Sequence, residues 1–150
     1  MFTTAAQIKT DLAASLKLAG GSADLPPYWD DVVSRCHTAA YQEVVGALLA
    51  RGFSKSVIDT WDRGSEFERS IALYFCATSP QGIGSFDLNA VKLWDKREDL
   101  KAVQVYTSGT AVDPSEQPGT VGSGRMNDQR GIFNPISQTG EDDNPYPMRW

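Results

Sequence analysis

The sequence predicts a mainly α protein: a small helical bundle of about five helices followed by a long extended C-terminal tail with room for one short β-hairpin. Three observations carry this. Before Tyr106, apolar residues recur at helical spacing. The segments with that spacing are separated by Gly, Pro, Ser and Thr where helices start and stop. After Tyr106 the period is lost, and eleven of the 44 residues in 107–150 are Gly or Pro (six Gly, five Pro), a composition that goes with extended or disordered chain. The expected organisation is a helical domain over 1–106 and a docking tail over 107–150.

The first helix is expected to bury the stripe Ala5, Ile8, Leu12, Leu16 and Ala19. Thr3 or Thr4 can cap it, and Gly20-Gly21 can end it. The second helix is expected over about 27–50. Trp29, Val32, Val33, Cys36, Ala40 and Val44 lie on one face, widened by His37, Tyr41 and Leu48, with Gly52 as the stop. So wide a stripe suits a central helix that touches several neighbours. Ser54 caps a short third helix carrying Val57, Ile58 and Trp61, and Gly64 breaks it.

Ser65 and Glu68 have the spacing of a capping box, which would open a fourth helix with Phe67, Ile71, Tyr74, Phe75 and Thr78 on one side. Residues 79–84, SPQGIG, read as a loop. The fifth helix is expected over 86–103 with two apolar stripes, one of Leu88, Val91 and Trp94, the other of Phe86, Ala90, Leu93 and Leu100, interrupted by Arg97. A helix that is apolar on two sides needs two partners. In the tail, the only suggestion of regular structure is a hairpin around 125–136.

The net charge of −5, with 14 Lys+Arg among 19 Asp+Glu, leaves no basic cluster of the kind that binds nucleic acid. MFTTAAQIKTDL lacks the basic start and apolar stretch of a signal peptide. No apolar run approaches the roughly 20 residues of a membrane span. Cys36 and Cys76 sit in apolar helical runs and read as buried thiols, with a disulfide between them left open.

The search for chemistry finds little. His37, the single histidine, borders an apolar face without an identifiable partner and reads as structural. Asp30-Asp31 suits a helix N-terminus, and Glu141-Asp142-Asp143 a solvated tail. The glycines at 119, 122 and 124 lack the Lys-Ser/Thr of a phosphate loop. Three carboxylates, Asp59, Asp62 and Glu66, form an acidic set that a metal-dependent enzyme could use, if they converge. The expectation is no enzyme, no catalytic or metal-binding residue and no cofactor.

Two stretches, WDRGSEFERSIALYF and LWDKREDLKAV, together with the Pro-rich end NPYPMRW, resemble the head-to-tail connector proteins of tailed bacteriophages, also called adaptor or head completion proteins. The resemblance spans nearly the whole chain. It implies a homo-oligomeric ring, commonly of twelve copies, in the neck of the virion after synthesis in the host cytoplasm. Such a ring docks on the portal protein, receives the tail or a tail-completion protein, and lets genomic DNA pass without sequence-specific binding. The C-terminal segments of the family reach into adjacent subunits or the portal. The interface candidates are Trp94, Arg97 and Leu100 on the last helix and Phe133, Tyr146, Met148, Arg149 and Trp150 in the tail. The alternative is a small helical regulatory module whose tail folds on a protein partner.

Overall fold

The computed structural model describes residues 1–114. Among them the chain is mainly α, with five helices and one two-stranded antiparallel hairpin. The first compact unit runs from Met1 to Val112. It therefore continues past Tyr106, through the hairpin. The proposed hairpin at 125–136 and the tail candidates Phe133, Tyr146, Met148, Arg149 and Trp150 lie outside the described residues.

Helix α1, Ala5–Ser15, starts where Thr4 Oγ1 accepts the Gln7 N–H at 3.2 Å. It ends before Gly20-Gly21, because Lys17 takes a left-handed conformation (φ 59°) and turns the chain. Ile8, Leu12 and Ala13 face the core. Helix α2, Tyr28–Ala50, is the central helix that the wide stripe predicts. Trp29, Val32, Val33, Cys36, His37, Ala40, Val44 and Leu48 are all buried. Gly52 stops it at φ 95°, a conformation that a side chain would strain.

Helix α3, Lys55–Asp59, is capped by Ser54, as the sequence predicts, and buries Ile58. Helix α4, Gly64–Thr78, packs along α2. The predicted capping box is absent. The helix begins at Gly64 rather than Ser65, Arg63 precedes it without a side-chain cap, and Glu68 is fully buried. The inward face is Gly64, Phe67, Glu68, Ile71, Ala72, Leu73, Cys76 and Ala77. It is rotated from the expected one, so Tyr74 and Phe75 are half-buried and Thr78 is exposed.

The fifth helix is much shorter than the sequence predicts. Helix α5 spans Leu88–Trp94, and a separate 3₁₀ turn, Asp99–Lys101, follows. Asp95 causes the break. Its carboxylate accepts the Arg97 backbone N–H at 3.2 Å and the Arg97 guanidinium at 2.8 and 2.7 Å. A side chain that takes up a backbone N–H two residues on competes with helical continuation. Leu100 then drops into the core, and Arg51 Nη1 donates to its carbonyl at 2.8 Å.

Strands β1, Val105–Thr107, and β2, Thr110–Val112, meet through Ser108 and Gly109 at φ 52° and 79°. Two consecutive positive φ angles make the tight turn whose twist matches paired strands. The hairpin is held to the loop before α4. Asp62 N–H donates to the Tyr106 carbonyl at 2.9 Å, and the Asp62 carboxylate accepts the Ser108 and Gly109 N–H groups, each at 2.8 Å.

Candidate interaction surfaces

The face built by α5 and the loop before it leaves the most apolar surface exposed. Asp87 caps α5 by accepting the Asn89 N–H at 3.0 Å. An aromatic ladder joins this region to α2: Trp94 meets Phe86 edge-on at 5.8 Å, Phe86 meets Trp29 at 6.4 Å, and Trp29 meets Tyr28 at 5.5 Å. One side of α5 is spent on this contact, with Val91 buried. The remainder is bare: Ile83, Leu88 and Leu93 are 71, 74 and 73% exposed. Ile83 and Leu88 rim a crevice of about 230 Å³ floored by Ala77, Phe86 and Val91.

Next to this shoulder, Arg97 is fixed as a plate. The Asp95 carboxylate holds its guanidinium, which lies 4.9 Å from the Tyr74 ring centre and 5.7 Å from that of Phe75. The Arg97 hydrogen bonds hold the Asp95 carboxyl below its ordinary range, and the Asp95 carboxylate holds the Arg97 guanidinium above its own. The charge alternation around residues 95–99 is therefore an i,i+2 clamp at a turn. On a continuous helix, residues two apart would not face each other. Trp94 is half-buried beside a cleft of about 470 Å³ that also includes Asp11, Ser65 and Arg69.

Of the three interface candidates in the described residues, Trp94 and Arg97 keep part of their surface. Leu100 does not. It is fully buried in its own chain's core, so the interface role expected of it is corrected to a packing role.

A second site lies between α2, α4 and the start of the chain. Phe2 N–H donates to Glu68 Oε1 at 2.6 Å, and the His37 Nε2 atom lies 2.5 Å from Glu68 Oε2, off the hydrogen-bond direction. The histidine that had no identifiable partner thus has a carboxylate partner. Sequence reasoning missed it by giving Glu68 to a helix cap. The available signal was spacing: Glu68 shares the apolar stripe of Gly64, Ile71 and Ala72.

The acidic set does not converge. Asp59 pairs with Lys55 at 2.5 Å, Glu66 with Arg63 at 2.6 Å, and Asp62 holds the hairpin turn. Among the described residues, no group of three His, Cys, Asp or Glu side chains is placed to hold a metal ion. Cys36 on α2 and Cys76 on α4 are free and buried. The neighbouring Cys36 thiol and burial push the Cys76 thiol up, so it stays protonated. No described helix is long and apolar enough to cross a membrane.

No protein-family model, curated protein or solved structure matches the chain.

Proposed function

We propose that this chain is a structural subunit of a tailed-phage head-to-tail connector ring. It works by assembly: it docks on the portal, extends the DNA channel in the virion neck and offers a surface to the tail. The observation that carries the reading is the exposure of three large apolar side chains, Ile83 and Leu88 at the rim of one crevice and Leu93 on the other side of α5. Covering each such side chain against a neighbour is worth about 1.5–3 kcal/mol, and a short helix apolar on two sides needs partners beyond its own bundle. The resemblance of WDRGSEFERSIALYF and LWDKREDLKAV to connector proteins supports it, as does a Gly- and Pro-rich tail too poor in apolar residues to form a core. The net charge of −5 per chain suits a channel that DNA must slide through.

The test pairs Leu88→Asp with Leu93→Asp. Both side chains are exposed, so the monomer should fold unchanged while ring formation, read by sedimentation and electron microscopy with and without portal particles, is lost. A native chain that stays monomeric in the presence of portal particles overturns the reading. One-to-one binding to a single protein would instead favour the regulatory module.

A further inference from the structure

We propose that Cys36 and Cys76 form a redox site, a dithiol that a low-molecular-weight disulfide of the glutathione type closes into a bond between α2 and α4. The chemistry is the same whether or not the chain sits in a connector ring.

Two contacts outside the pair fix how α2 meets α4 in this stretch. At one end His37, the neighbour of Cys36, reaches Glu68 at 2.5 Å. At the other end Trp29 meets Phe86 at 6.4 Å, and Phe86 lines a crevice together with Ala77, the neighbour of Cys76. Residues 29–37 of α2 and 68–77 of α4 therefore face each other, and both cysteines belong to the one buried core cluster between them. Ala40 and Ala72, fully buried on the same two faces, carry only a methyl group and let the backbones lie close. Within this patch each thiol is the largest influence on the other, an effect that acts only between near neighbours.

The two thiols differ, and the difference gives the reaction an order. Cys36 keeps 8% of its surface and Cys76 none. Cys76 holds the Cys36 thiol below its ordinary value against the effect of burial, and Arg35 adds to this. The thiolate is the attacking form. Cys36 thiolate attacks one sulfur of the small disulfide and expels the first small thiol, leaving a mixed disulfide on Cys36. The Cys76 sulfur then attacks Cys36 Sγ and expels the second small thiol, which takes the Cys76 proton. Two protein thiols are oxidised, one small disulfide is reduced to two thiols, and both protons end on those thiols.

The fold does not need this bond, because a reduced buried cysteine packs as a small apolar side chain. In a reducing compartment the pair stays open. Where small disulfides accumulate it closes, and the closed chain loses the freedom of residues 36–76 in its unfolded state. The device is a lock on the α2–α4 contact that the surroundings set.

The experiment treats the full native chain with oxidised glutathione at neutral pH and follows it by intact mass, peptide mapping and urea unfolding. The product should be lighter by two hydrogens, carry no glutathione, join residues 36 and 76 in one peptide pair and unfold at a higher urea midpoint. Dithiothreitol should reverse every change. Cys76→Ala should stop at a glutathione adduct on Cys36, and Cys36→Ala should react about ten-fold more slowly, because the thiol that remains is protonated and enclosed. The mass and midpoint of the unaltered chain need no variant, so they decide the matter even where an alanine chain does not fold. Oxidation that proceeds only in urea, a lasting glutathione adduct on the unaltered chain, a bond between two chains, or an intramolecular bond that lowers the midpoint overturns the proposal. Equal rates for the two alanine variants overturn the order of attack.

Discussion

The Asp62 carboxylate reaches across 47 residues of sequence to accept the Gly109 backbone N–H at 2.8 Å. With the equal contact to Ser108, it fixes the hairpin turn on the loop that starts α4. Asp62→Ala removes both acceptors. It should cost about 1.5–3 kcal/mol, the usual worth of hydrogen bonds to a charged group, and speed exchange of the Tyr106 and Val112 amides before those of α2. An unchanged urea midpoint and unchanged exchange would show the turn to be self-supporting.

The hairpin also sets where the helical unit can be cut. A chain ending at Val112 should keep cooperative melting and helical circular dichroism. One ending at Tyr106 loses β2 and both Asp62 donors, and should melt lower and less sharply. Equal melting of the two truncations would refute this.

Gly64→Ala puts a methyl group into the Phe2 ring. Helix propensity favours Ala by about 1 kcal/mol in a helix interior, but overpacking costs about 1–3 kcal/mol, and at the first helical position the clash should win. The double variant Phe2→Ala/Gly64→Ala removes the obstacle, so the second substitution becomes neutral or stabilising on that background. A denaturation cycle over the four chains reads the coupling, and simple additivity would show that ring and glycine do not interact.

Asp95 gives the pH dependence. Its carboxyl is held below the ordinary value by Arg97. A lowered folded-state value means that the contribution is complete above the ordinary carboxylate range, about pH 4, and is lost as pH falls through the folded value. Asp95→Asn should therefore flatten the acid limb of stability without moving the neutral plateau as much as Asp95→Ala. A variant that keeps the full acid limb would place that dependence on other carboxylates.

Much of the helical frame was legible because its cause is local. The wide stripe from Trp29 to Leu48 needs only helical spacing, and Thr4, Ser54 and Gly52 act on their own turns. The hairpin was overlooked although Ser108-Gly109 between Val105-Tyr106-Thr107 and Thr110-Ala111-Val112 is a short-range turn signal. The α5 boundary failed because Arg97 was read as an interruption in one stripe of a helix continuing to residue 103, whereas Tyr74 and Phe75, distant in sequence, give the guanidinium a surface to lie on at the turn.

By itself the sequence determined the fold class, the central helix, the short capped helix after it and the composition change beyond the helical region. The tertiary structure decided between the two roles that spacing leaves open to Glu68, a helix cap or a place on the apolar stripe. Its spacing from Ser65 satisfies a local capping rule, but His37 and the Phe2 amide, brought in from α2 and the chain start, draw it inside. Burial of a carboxylate depends on which partners the fold assembles around it, and His37 and Phe2 lie 31 and 66 residues away.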